Sequence, residues 1–199
     1  MKAKTEEGID KKQFRVVIFG SARIEPGDPN WYLIYDLAKR IAEEGIDLVT
    51  GGGPGLMDAA SLGHHAGDIN RNALSIGLQI KLPEEQRYSN HLDIKKDFYR
   101  FSTRLDNFIE LANVVVVAPG GVGTLLELFY TWQLIQVKMI HDIPIILIGK
   151  MWPDFISWIK KWPLKHKFLE QKDVELLFLV DNYEDALRII KKVHTTNFS

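Results

Sequence analysis

Short apolar runs alternate along this chain with longer amphipathic segments, the pattern of strands and helices laid down in turn. Phe14 to Phe19 (FRVVIF) is β-branched and ends at Gly20, which predicts a first strand. The segment 31–44 carries Ile34, Leu37, Ala38 and Ile41 at helical spacing and stops at Gly45. The same reading predicts strands over 46–50, 73–80, 114–117 and 143–148, and helices over 56–65, 99–112 and 125–137. A short helix is expected over 155–161 between Pro153 and Pro163, with Trp152, Trp158 and Trp162 packing a helix rather than forming a base platform. A late strand over 176–180 follows, then a last helix capped by Asp181, with Glu184 at the capping-box spacing. Residues 81–97 are polar and irregular, too long for a turn, and read as a functional loop.

Repetition of strand and helix gives an α/β fold: a Rossmann-like, doubly wound, mostly parallel sheet flanked by helices. The continuous apolar run Val114 to Val117 is what a central parallel strand covered on both sides requires. Residues 1–13 are polar and are expected to form a flexible tail, leaving 14–199 as a single nucleotide-binding domain. Three strand ends lead into loops of glycine and small polar residues: Gly20-Ser21-Ala22-Arg23, Gly51-Gly52-Gly53-Pro54-Gly55 and Pro119-Gly120-Gly121-Val122-Gly123-Thr124. In a parallel sheet all three fall on one edge, where such folds bind ligands.

Composition narrows the chemistry. With 199 residues, 46% hydrophobic and 26% charged, the chain has an ordinary globular balance and enough length for a core without staples. A net charge of −1 provides no basic field for a nucleic-acid polymer. There are no cysteines, which excludes disulfides and thiol chemistry. No apolar run approaches a membrane span and the N-terminal residues lack a signal core, so a cytoplasmic protein with no membrane partner is expected. Histidines 64 and 65 read as helix-surface residues; no set of ligands at workable spacing suggests a metal, and no cofactor is implied.

A helix start presents unpaired N–H groups and a partial positive charge, both of which a phosphate satisfies if the backbone can approach closely. Gly120, Gly121 and Gly123 allow that approach, and Thr124 adds a hydroxyl. Gly52, Gly53 and Gly55 offer a second such loop, although tight strand-to-helix turns alone also call for glycine. Glu127 has two readings: a carboxylate one turn from the phosphate, or the acid of a capping box begun at Thr124. Arg23 has two as well, a nucleotide contact or a surface ion pair, and Ser21 either contacts base or phosphate or caps the next segment. Gly-Ser-Ala-Arg after the first strand is not the G-x-G-x-x-G of a dinucleotide site. The helix over 125–137 is apolar on more than one side, so one side meets the sheet and another is expected to meet a second copy of the chain.

Residues 119–127, Pro-Gly-Gly-Val-Gly-Thr-Leu-Leu-Glu, match PGGxGTxxE, and the chain here resembles the Lonely Guy family of nucleoside monophosphate phosphoribohydrolases. Thr50 to Met57 (TGGGPGLM) is similar to that family's TGGGPGxM, and Ser75 to Leu78 with Leu82 to Gln86 to its SIGL and LPxEQ segments; the likeness runs from about Phe14 to about His194. The resemblance implies cleavage of the N-glycosidic bond of a nucleoside 5′-monophosphate such as AMP, giving free base and ribose 5-phosphate, by a homodimer or larger assembly. It implies Glu127 and Arg104 as the catalytic pair and places Met57 at the nucleotide. The family's Arg-Lys is Arg104-Leu105 here. Relatives with the same loop bind or carry a ligand without catalysis, which is the alternative reading. Others have borne the label lysine decarboxylase, but no residue pattern here asks for the electron sink that decarboxylation needs.

Overall fold

The computed structural model describes residue 9, residues 13–82 and residues 88–197. Most of the expected N-terminal tail and Pro83 to Gln86 of the LPxEQ segment lie outside the described residues. Ile9, within that tail, is buried.

Seven parallel strands form one sheet in the order β4-β3-β2-β1-β5-β6-β7. They are β1 (Arg15–Phe19), β2 (Asp47–Thr50), β3 (Ser75–Ile80), β4 (Ile94–Phe98), β5 (Val114–Val117), β6 (Ile145–Ile148) and β7 (Leu177–Val180). The helices are α1 (Pro29–Glu43), α2 (Leu56–Gly67), α3 (Phe101–Leu111), α4 (Val122–Gln136), α5 (Trp152–Ile159), α6 (Gln171–Val174) and α7 (Tyr183–Asn197), with a π-helical turn at Lys160–Leu164. The expected doubly wound sheet is therefore observed, and it is wholly parallel.

Each central strand sends alternate residues to opposite layers, as a pleated strand must. Val16, Ile18, Leu48, Val114, Val116, Ile146 and Ile148 meet α1, α2 and α7 through residues such as Ile34, Leu37, Ala59 and Ile190. Val17, Phe19, Val49, Val115, Val117, Ile145 and Leu147 meet α3, α4 and α5 through Phe108, Leu128, Trp132, Ile135 and Trp152. Burial on both faces explains why these strands read as unbroken apolar runs.

Several expectations are corrected. Ile94–Phe98 lies inside the segment read as a loop, and it pairs with β3 from Ile76↔Ile94 to Ile80↔Phe98. Its sequence, IKKDF, alternates half-buried and exposed positions, the charged edge of a sheet rather than an apolar centre. Helix α4 starts at Val122, three residues before the expected Leu125, because glycine within a first turn hides the start of a helix from propensity. The last helix is capped at Asn182, which accepts from the Asp185 N–H at 2.8 Å, one residue beyond the expected Asp181 and Glu184. Trp152 is buried, but Trp158 and Trp162 are exposed and pack no core. No helix among the described residues is long and apolar enough to cross a membrane.

Candidate functional site

Strand β1 pairs with β2 on one side and β5 on the other, so the winding reverses direction between β1 and β5. Register places Phe19 beside Val117, and the loops after them leave the sheet side by side. Ser21 N–H donates to Pro119 O at 3.0 Å, and Leu56 N–H donates to Ser21 O at 2.9 Å. The three glycine loops are thus tied together at the carboxyl edge, over the point where such folds open a ligand crevice.

Helix α4 begins on Gly121, and no side chain caps it. The Val122, Gly123 and Thr124 amides form its uncapped first turn, next to a helix-dipole positive end. Gly121 and Gly123 face open space: a Cβ built on either meets nothing within 4 Å. Gly120 differs, since a Cβ there would lie 2.1 Å from Thr124 Oγ1, so the Thr124 side chain packs down on it. In the second loop Gly55, at φ 72°, is held against Ser21 O, 2.3 Å from where a Cβ would sit. Gly52 and Gly53 are buried, and Met57 covers Gly51 and Gly53.

Glu127 lies one turn into α4 and Arg104 one turn into α3. Arg104 Nη2 donates to Glu127 Oε1 at 2.7 Å, so the carboxylate is spent on the arginine and not on a capping box at Thr124. Phe101 and Phe108, a turn before and a turn after, hold the guanidinium at 5.6 and 5.4 Å from their ring centres. A side chain on Gly51 would come within 3.8 Å of Arg104 Nη1, so the pair also borders the second glycine loop. Burial raises Glu127 from the usual carboxylate value to about 7, with Arg104 opposing the rise. Burial also lowers Arg104, and Glu127 opposes that shift. Arg104 Nε is buried with no hydrogen-bond partner, a donor left over for a ligand.

The remaining expected residues fall nearby with different roles. Ser21 Oγ accepts from the Arg23 N–H at 3.1 Å and so caps its own loop. Arg23 is exposed, makes no ion pair among the described residues, and lines a cavity of about 760 Å3 with Trp31, Asp58, Ser89 and His91. That cavity adjoins the loops on the α1–α2 side; neither Arg104 nor Glu127 lines it. His64 is buried, not on the surface, and its Nε2 lies 2.9 Å from Ile46 O, whereas His65 is exposed. Among the described residues no three His, Cys, Asp or Glu side chains converge to hold a metal. Sequence reasoning missed a second tie between the same two helices: Tyr130 Oη donates to Asp106 at 2.5 Å. Tyr130 is three residues after Glu127 and Asp106 two after Arg104, a pairing that needs α3 and α4 to be known neighbours.

A family model described as possible lysine decarboxylase matches residues 57–190, which include Arg104 and the 119–127 loop. The chain is 27% identical over 157 residues to a pyrimidine/purine nucleotide 5′-monophosphate nucleosidase of Escherichia coli K12, covering 74% of this chain and 34% of that protein. It spans about one third of the length of that relative. Over 80 residues it is 36% identical to a cytokinin riboside 5′-monophosphate phosphoribohydrolase of Mycobacterium tuberculosis, 39% of this chain and 41% of that one. A probable enzyme of the same description from Oryza sativa subsp. japonica is 29% identical over 155 residues, 76% of this chain and 65% of that one. Among solved structures, the molybdenum cofactor binding protein of Rippkaea orientalis superposes with a TM-score of 0.68 at 20% identity, covering 91% of this chain and 97% of that one. At that identity the likeness is one of fold.

Proposed function

This chain belongs to the family described as possible lysine decarboxylase, the Lonely Guy family, and from that premise we propose that it hydrolyses the N-glycosidic bond of a purine nucleoside 5′-monophosphate such as AMP. The observation that carries this reading is the buried Arg104–Glu127 pair, one turn inside a helix whose glycine-rich first turn is uncapped. The phosphate binds the N–H groups of residues 121–124, where helix dipole and open backbone favour an anion. Gly52, Gly53, Gly55 and Met57 floor the neighbouring crevice, and Ser21 and Arg23 stand at its β1 side.

Ribose 5-phosphate is short enough to place its anomeric carbon near Glu127. As the C1′–N bond lengthens, its electron pair leaves with the base and positive charge builds on the sugar. The Glu127 carboxylate stabilises that charge and orients a water whose oxygen bonds to C1′, while one water proton is transferred through the carboxylate to the departing base. Arg104 holds the carboxylate in place and favours its ionised form. Removing a preorganised charged group from such a site costs about 100- to 1,000-fold in rate. A homodimer, acting without cofactor or metal, is part of this proposal.

A non-catalytic nucleotide or cofactor carrier on the same scaffold would need the glycine loops but not the acid–arginine pair. Incubation of the purified protein with AMP, GMP, CMP and isopentenyladenosine monophosphate, with free base read by chromatography, separates the two. Base release that is lost in Glu127→Gln and Arg104→Ala is expected. Nucleotide binding with no release from any substrate would leave the carrier.

A further inference from the structure

We propose that the outward face of α5 and the π-helical turn, within residues 155–169, docks on an anionic lipid surface. No acidic residue and no arginine occurs between Asp154 and Glu170, while Lys160, Lys161, Lys165 and Lys167 do, in a chain whose net charge is −1. All four lysines are exposed, and none makes an ion pair among the described residues. Between them stand three exposed aromatic residues: Trp158 at 52%, Trp162 at 48% and Phe168 at 77%. The core does not need these rings, because Phe155, Ile156, Ile159 and Leu164 fill the inward side of the same segment.

The rings are also ordered. Trp162 stacks on His166 at 5.5 Å between centres, and His166 stacks on Phe168 at 5.9 Å. Lys161 Nζ sits 5.6 Å from the Trp162 ring centre. The chain reverses at Lys167, whose φ of 61° is left-handed, and this turn brings Phe168 back with its N–H donating to Pro163 O at 2.8 Å. Glycine is the easy residue for such a helix end. A lysine is kept there despite the strain, which adds a charge to the patch.

Lysine with tryptophan and phenylalanine is the composition of segments that lie at a lipid headgroup layer, ammonium groups in the anionic surface and rings at the acyl boundary. Protein interfaces deplete lysine, and nucleic-acid readers favour the arginine fork. Rings stacked on one another also leave little free face for bases. The expectation of no membrane partner rested on the lack of a spanning run, and a docked surface requires none.

The test is co-sedimentation of the full chain with vesicles of phosphatidylcholine alone and of phosphatidylcholine with phosphatidylserine. Binding only to the anionic vesicles, weakened by salt, is expected. Each lysine near such a surface contributes about fivefold, so Lys161→Ala with Lys165→Ala should weaken binding about thirtyfold. Lys167→Gly relieves the left-handed strain, so it should weaken binding about fivefold while leaving thermal stability equal or higher. No binding at low salt, equal binding to both vesicles, or binding unchanged in these variants overturns the proposal. So does loss of self-association in the double variant, which would make the face an interface between copies. Loss of binding to a single-stranded oligonucleotide, with vesicles unaffected, would overturn it in favour of nucleic acid.

Discussion

Arg104 and Glu127 meet at 2.7 Å with each side chain only 11% exposed, yet the two partners differ in what they can do when left alone. A buried carboxylic acid escapes its charge by taking a proton, and Glu127 is already poised to do so near pH 7. An arginine does not discharge in a protein. Glu127→Leu therefore strands a buried cation and should cost about 3–5 kcal/mol. Arg104→Leu leaves a neutral acid and should cost roughly 1–3 kcal/mol. Urea unfolding at pH 7 measures both, and equal losses would show that the pair is not the buried unit described.

The same group sets a pH dependence. Folding raises Glu127 from the ordinary value of 4.5 to about 7. Below pH 4.5 both states hold the proton and Glu127 contributes no difference. Between 4.5 and about 7 the unfolded chain loses its proton first, so the folded state binds more protons and stability falls as pH rises. The loss is of order 3 kcal/mol, complete above about pH 7. Stability measured across this range should lose that slope in Glu127→Gln. If the ionised carboxylate drives base release, activity should climb as Glu127 loses its proton, with its midpoint near 7, at the upper end of the range in which stability falls.

Helix α4 carries Val122, Leu126 and Phe129 on one stripe, 85%, 43% and 42% exposed. The opposite side packs Leu128, Trp132 and Ile135 into the core. A second copy of the chain is the proposed cover for that stripe. Light scattering at micromolar concentration should give a dimer, and Leu126→Glu should give a monomer that keeps its fold.

The central strands were legible because their environment is uniform: Val114 to Val117 is buried on every side and reads apolar throughout. Ile94–Phe98 was not, because an edge strand with lysines carries little hydrophobic signal. The glycine loops could be placed on one edge from strand order alone, since parallel strands share a direction. The meeting of Arg104 with Glu127 was reached through the family's motif; spacing along the chain could not supply it, because the contact needs α3 and α4 to lie on the same face of the sheet. His64 was misread because helix periodicity does not show that its ring reaches the Ile46 carbonyl.

The glycines separate a phosphate site from a set of tight turns. If they serve only the turns, alanine should be harmful wherever glycine occurs. The structure divides them instead. Gly123 lies in the first turn of α4 with open space around it, and Gly121 has φ −100°, a value any residue adopts. Alanine at 123 should be neutral or stabilising by up to about 1 kcal/mol, because it is the better helix former. Alanine at 121 should be nearly neutral. Gly55→Ala should be strongly destabilising, since it forces a Cβ into Ser21 O at a left-handed φ of 72°. The methyl groups at 121 and 123 would instead stand in the proposed phosphate site, and nucleotide binding should weaken tenfold or more, about 1.4 kcal/mol. Thermal melts beside calorimetric titration with AMP decide the matter. Stable variants that bind AMP as tightly as the parent would remove the phosphate from this loop.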